Sequence, residues 1–413
     1  MKFDWWLFGL CSSRAFTWIV AMTYSAALPV LQKEWGISST AAGSISGGFQ
    51  IGLAVSLVYL SQLADRIGPK RVFLWSNFSS ALISLIFAFF AREYYSTLCL
   101  YTLIGLSLGG TYTTGMMMIA YRYPSSNRGK AVGFFIASTS LGYVLSMAIS
   151  GIAMPLGGYR LSFLLTCLGP LVGIILLWVT ISSTPDSISP PPKDKKFSAA
   201  VLQNKPGMLL IGAYVCHSWE LFGMWTWTPA FLAACLVVTG SETGQAAGIS
   251  AYIVGSFHFM GLLASLLMGT LSDRLGRIFV IFIIGSISTI CSFTMGWLIG
   301  SSVVIITAVG MIYAFSAIGD SPVLSTALTE NIEESYIGAA FALRSFAGFG
   351  AGAISPFVFG IVLDLTNPMS IRTDSYANWG WAYSMLGLVG FGTVAAAYSL
   401  FKITVRQSHT RQP

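Results

Sequence analysis

Six ionisable side chains sit inside otherwise apolar stretches: Arg14, His217, Glu220, His258, Asp320 and Arg344. Such a group surrounded by hydrocarbon is costly unless it is paired or wet, so each is a candidate for chemistry. His217 and Glu220 are three residues apart and share one helical face, with Tyr214 and Met224 continuing the stripe. An imidazole beside a carboxylate can take up and release a proton. Arg14, on a face with Thr17, Ala21 and Tyr24, supplies a fixed cation that can hold an anion through charge-assisted hydrogen bonds. Hydroxyl donors cluster in Thr111, Tyr112, Thr113 and Thr114. The run Gly319-Asp320-Ser321-Pro322 interrupts a helical pattern, because proline removes a backbone donor and blocks the carbonyl four residues back.

Each group also has a plainer reading. Arg14 can snorkel to an interface, and Glu220 can be a satisfied partner of His217 or Arg14. His258 reads as a core histidine. Asp320 and Arg344 fall level with one another, which predicts an ion pair, either structural or functional. The aromatic run Trp219, Phe222, Trp225, Trp227 and Phe231 reads as interfacial aromatics, with a stacking wall as the alternative.

Composition narrows the classes. Only 9% of the 413 residues are charged and 55% are hydrophobic, so lipid is the solvent for most side chains. The net charge of +7 comes from cations in short loops, not from a contiguous basic face, and nucleic acid is not expected as a partner. The six cysteines lie in apolar runs without Cys-x-x-Cys spacing, and His217, Glu220 and His258 lack metal-ligand spacing, so no metal, no cofactor and no enzyme activity are expected.

Twelve apolar segments are long enough to cross a hydrocarbon core: 5–31, 41–62, 72–91, 96–120, 130–155, 160–182, 206–236, 245–271, 278–298, 301–328, 336–363 and 380–401. The expected fold is an all-α membrane protein with twelve transmembrane helices in two pseudo-symmetric six-helix bundles. Residues 1–182 form the first bundle, and 183–205 are a linker carrying Pro190-Pro191-Pro192 and Lys193, Lys195 and Lys196. Residues 206–413 form the second bundle with a short tail. Sixteen Lys and Arg flank the helices on the side of the termini and the linker, against four, Lys33, Arg92, Arg160 and Arg372, on the other. That bias predicts a multi-pass protein of the inner (plasma) membrane with both termini cytoplasmic.

The halves repeat one another. Asp65-Arg66-Ile67-Gly68 follows the second segment and Asp273-Arg274-Leu275-Gly276 the eighth; Arg128-Gly129-Lys130-Ala131 and Ile337-Gly338-Ala339-Ala340 enter the fifth and eleventh. The glycines suit tight turns, and the cations suit an anionic leaflet. In full, Ser61-Gln62-Leu63-Ala64-Asp65-Arg66-Ile67-Gly68-Pro69-Lys70-Arg71 and Gly269-Thr270-Leu271-Ser272-Asp273-Arg274-Leu275-Gly276-Arg277 resemble the signature loop of the major facilitator superfamily, with Ser61 where that family usually has glycine.

The resemblance implies that helices one, four, seven and ten line a central cavity, and that Asp65 meets the amino end of helix eleven as a latch. Gating residues are then Asp65, Arg66, Asp273, Arg274, Arg128 and Arg344. Substrate-binding candidates are Arg14, Tyr24, Tyr112, His217, Glu220 and Asp320, with Glu220 and Asp320 coupling protons. The expected function is secondary transport of a small organic or inorganic anion by a monomer, with protons and the lipid bilayer as the other partners. A proton-driven exporter of drugs or metabolites is the alternative. It is disfavoured because the resemblance implies an Arg in the fourth helix and a Gly-Pro pair in the fifth for antiporters, whereas Leu100-Tyr101-Thr102-Leu103-Ile104-Gly105 holds no Arg and Gly142-Tyr143-Val144 no Pro.

Overall fold

The computed structural model describes residues 4–182, 184, 199–333, 336–367 and 378–410, and all its regular structure is helical. The linker residues Pro190 to Pro192, Lys193, Lys195 and Lys196 lie outside the described residues, as do Lys2, Arg372 and Arg411. In chain order the long helices are α1 (Trp5–Trp35), α2 (Ser39–Ile67), α3 (Pro69–Phe90) and α4 (Tyr94–Arg122). Ser125–Ile181 is one helical stretch, broken where Gly157 and Gly158 leave helical geometry. Unbroken, its 57 residues would extend about 85 Å, far beyond a bilayer; the break at 157–158 folds it into two passes, α5 (125–156) and α6 (159–181). The second half holds α7 (Lys205–Val238), α8 (Thr243–Leu275), α9 (Arg277–Met295), α10 (Val303–Asn331), α11 (Ile337–Thr366) and α12 (Gly380–Thr410). With the division at 157–158, the expected twelve passes are present.

Local signals explain the element ends. Ser38 caps α2 by accepting from Ala41 N at 3.1 Å, and Asn204 caps α7 by accepting from Gly207 N at 2.8 Å. The turns after α2 and α8 need positive φ, 97° at Gly68 and 90° at Gly276, which glycine adopts without a Cβ clash. Pro322 does not break α10, which runs through it to Asn331. The interruption lies instead in α1, where Trp18–Met22 is wound as a 3₁₀ helix directly after the turn that carries Arg14.

Packing of the two halves is uneven along the helices. At the end away from the Asp65 and Asp273 turns, here the outer end, one apolar core runs through both halves and joins Leu28 and Phe49 to Trp227 and Phe359. Toward the end with those turns, the basic end, there are two separate cores. One, around Phe73, Phe135 and Leu177, belongs to the first half, and the other, around Leu210, Val280 and Leu324, to the second. The stripe of α2 that meets α11 shows the same divergence: Gly43 and Gly47 touch α11, while Ile51, four residues on, is 53% exposed. The halves are joined at the outer end and splay toward the basic end.

Candidate functional site

Arg14 is 2% exposed, and its partners among the described residues are neutral. Its Nε donates to Thr139 Oγ1 (2.8 Å), and its Nη1 to Thr111 O (3.3 Å) and Thr111 Oγ1 (3.4 Å). The guanidinium carbon lies over the Phe135 ring at 4.2 Å, with Trp18 at 5.1 Å and Tyr112 at 5.4 Å. Aromatic faces attract a cation but leave its charge uncancelled. The sequence offered Thr111 and Thr114 as donors to the site; both instead donate back to their own helix, at Leu108 O and Gly110 O, and Thr111 meets Arg14 as an acceptor.

Arg344 mirrors this in the second half. It is 7% exposed, its Cζ sits 3.6 Å over the Tyr214 ring and 5.0 Å from Phe341, and its Nε has no hydrogen-bond partner. Tyr112, from the first half, lies 5.4 Å from the Arg14 guanidinium and within electrostatic range of Arg344 and Tyr214 in the second half. The expected Asp320–Arg344 ion pair is not formed: Asp320 turns to His217 instead, Oδ1 to Nδ1 at 2.7 Å.

Glu220 does not converge with Arg14. It accepts from Ser288 Oγ at 2.8 Å on α9 and lies against Gly390 of α12, so it faces the interior of the second half. His217 and Asp320, both 3% exposed, tie α7 to α10 beside it. Tyr24 likewise leaves the candidate binding set: fully buried, it donates to Ala42 O at 2.9 Å and packs on Tyr101 at 5.4 Å, holding α1 to α2.

Residues outside the expected binding set also lie between the halves. Tyr143 of α5 meets Trp18 at 5.9 Å, Trp225 at 5.3 Å and His258 at 5.3 Å, and His258 in turn touches Trp225 at 5.3 Å. His258 is 2% exposed with Nε2 unpartnered. Trp18 was legible as the residue four on from Arg14, hence on its face; Tyr143 carries no such signal. Beyond Trp225 toward the outer end, a small cavity is lined by Ser25, Ser46, Phe49, Gln50, Phe222 and Trp225, among others.

The two ends are held differently. At the outer end Asp364 of α11 accepts from Ser39 N (2.9 Å), Thr40 N (2.8 Å) and Thr40 Oγ1 (2.7 Å) at the start of α2. Lys33 reaches Thr243 of α8 at 3.4 Å. A Cβ on Gly43 would stand 2.1 Å from Pro356 O, so the helix backbones touch. At the basic end, Asp65, Arg66 and Arg274 have no polar partner among the described residues, and the latch from Asp65 to α11 is not made. Arg128 bonds Tyr123 O, and Asp273 pairs with Arg277 (2.5 Å), which also holds Glu330 (3.1 Å) within the second half. Among the described residues His, Cys, Asp and Glu form no metal-binding group.

Comparison with known proteins places this architecture. The Major Facilitator Superfamily model matches residues 10–356. The chain belongs to the major facilitator superfamily. Among relatives of this superfamily member, a hexuronate transporter of Bacillus subtilis is 24% identical over 372 residues, 84% of each chain. A probable sulfoacetate transporter of Cupriavidus necator is 22% identical over 424 residues, 94% of this chain and 92% of the other. A crystal structure of a nucleoside transporter superposes with a TM-score of 0.77 at 14% identity, covering 96% of this chain and all of that one, and shows the shared fold. The superfamily assignment makes the chain a multi-pass membrane transporter and not an enzyme.

Proposed function

We propose that this transporter carries a small organic anion across the membrane by alternating access, coupled to protons. The observation that carries the reading is the pair of buried guanidinium groups, Arg14 and Arg344, one in each half and neither paired with a carboxylate. A cation at bilayer depth without a counter-ion is costly, and a bound anion relieves that cost at both residues while drawing the halves together. The relatives that carry hexuronate and sulfoacetate, both small anions, support the same class of solute.

Alternating access is supported by the different state of the ends, closed where Asp364 meets α2 and splayed where Asp65 has no partner among the described residues. With the basic end cytoplasmic, this is an inward-facing arrangement. Proton coupling rests on Glu220, buried with a hydroxyl but no cation against it, and on the adjoining His217–Asp320 pair. These groups sit behind the cation site, so protonation acts through the packing of α7 against α9 and α10 and not by contact with the solute.

The test is uptake by purified protein in liposomes, with and without an imposed pH gradient, over a panel of organic and inorganic anions. Saturable anion uptake stimulated by the gradient is expected, and substitution of Arg14 or Arg344 by Leu should greatly weaken it at sub-saturating solute. Movement of lipophilic cations alone would instead establish the exporter reading.

A further inference from the structure

We propose that the transported anion is a hydroxylated aromatic monocarboxylate. Its carboxylate lies at Arg14 and Arg344, its ring against Trp225 and Tyr143, and its hydroxyl in the small cavity at Gln50 and Ser46. This deepens the anion reading above and rests on it.

Gln50 and Ser46 of α2 are 8% and 5% exposed, and the Oε1 of one and the Oγ of the other have no hydrogen-bond partner. Both line the cavity shared by α1, α2, α4 and α7 at the joined outer end. A buried polar atom left unsatisfied costs about 1–3 kcal/mol, so two facing one cavity mark a place where a polar group of something else is received. The chemistry of the pair limits that group. A neutral amide and a hydroxyl exchange hydrogen bonds with a hydroxyl but cannot neutralise a second carboxylate, so the solute carries its charge at the arginine end alone.

The path between the two ends is aromatic. Trp225 lines the cavity and also meets Tyr143, which meets Trp18, which lies against Arg14. Ring faces and edges suit a planar apolar body, whereas a sugar acid would need a hydrogen-bond partner for each hydroxyl along its length. Spacing agrees: Met22, on the cavity wall, is eight residues beyond Arg14, about 14 Å along α1 with Trp18–Met22 wound as 3₁₀. A phenyl carboxylate with a para hydroxyl spans a similar length, about 12 Å with a hydrogen bond of about 2.8 Å at each end.

The experiment compares uptake kinetics for 4-hydroxybenzoate, benzoate, benzene-1,4-dicarboxylate and glucuronate in proteoliposomes, for the wild type, Gln50→Leu and Ser46→Ala. The wild type is expected to prefer 4-hydroxybenzoate over the other three by at least tenfold in kcat/KM. Gln50→Leu should raise the KM ratio of 4-hydroxybenzoate to benzoate about tenfold, the scale of one hydrogen bond, and Ser46→Ala should move the same ratio in the same direction. The smaller Ser46 substitution supplies the answer if Gln50→Leu does not fold. Equal or better use of glucuronate or the dicarboxylate, or an unchanged ratio in the folded variants, overturns this assignment and leaves anion transport standing. Absence of any anion uptake, with Arg14→Leu indistinguishable from the wild type, overturns the anion reading itself.

Discussion

The carboxylate of Asp364 at the end of α11 grips Thr40 at the start of α2 through both the backbone N–H (2.8 Å) and the hydroxyl (2.7 Å). A carboxylate at a helix amino end is stabilised by the unpaired N–H groups there. Asp65 stands near the opposite end of α2 and has no polar partner among the described residues. Of the two aspartates, Asp364 bridges the halves and Asp65 does not.

Asp364→Asn should weaken outer closure. A hydrogen bond to a charged group contributes about 1.5–3 kcal/mol, so the balance should move about ten- to a hundredfold toward an outward-open form. Labelling of a Ser46→Cys reporter from the outer side reads this directly, and an unchanged labelling rate would mean that the grip does not set the balance.

Gly43→Val should act more severely. Its first added atom would fall 2.1 Å from Pro356 O, which is helix backbone and cannot swing aside. Outer closure is then blocked by sterics, and uptake should fall by at least tenfold while the outer reporter becomes readily labelled. Normal uptake by this variant would show that α2 and α11 need not touch during the cycle.

Arg14→Lys keeps a charge but loses the planar fork that reaches Thr139 and Thr111 together. Its KM for the anion should rise about tenfold, and that of Arg14→Leu further, about a hundredfold. Counterflow measurements at saturating and sub-saturating solute separate these effects from loss of protein; equal KM in all three proteins would place the anion elsewhere.

Glu220→Gln keeps the shape that meets Ser288 and Gly390 but cannot exchange a proton. Accumulation against a gradient should fall at least tenfold, with downhill exchange much less affected. Preserved pH-driven accumulation would assign coupling to the His217–Asp320 pair, which Asp320→Asn then tests.

Most of the fold was legible because it follows from segment length, spacing of apolar residues and the duplicated Asp65 and Asp273 turns. Boundaries were looser: α1 runs to Trp35 and α5 begins at Ser125, since polar residues at an interface continue a helix without changing the count of passes. The site was legible only in part. Arg14, Tyr112 and Arg344 stand out as charge or hydroxyl in an apolar run, but the direction of a side chain depends on neighbours that the sequence does not order. His217 and Glu220 show why. Three residues leave side chains about 60° apart around the helix, enough to send His217 to Asp320 on α10 and Glu220 to Ser288 on α9. Gln50 and Ser46 gave no signal, because buried amides and hydroxyls are common and their lack of partners emerges only once the helices are packed.

The 3₁₀ winding of Trp18–Met22 gives α1 a swivel immediately beyond its cation. Each residue that passes from 3₁₀ to α winding changes the helical advance by about 20°, so relaxing the five of them would turn the outer half of α1 by about 100° relative to Arg14. Such a rotation sweeps Ser25 away from the cavity at Gln50 while the guanidinium stays in place.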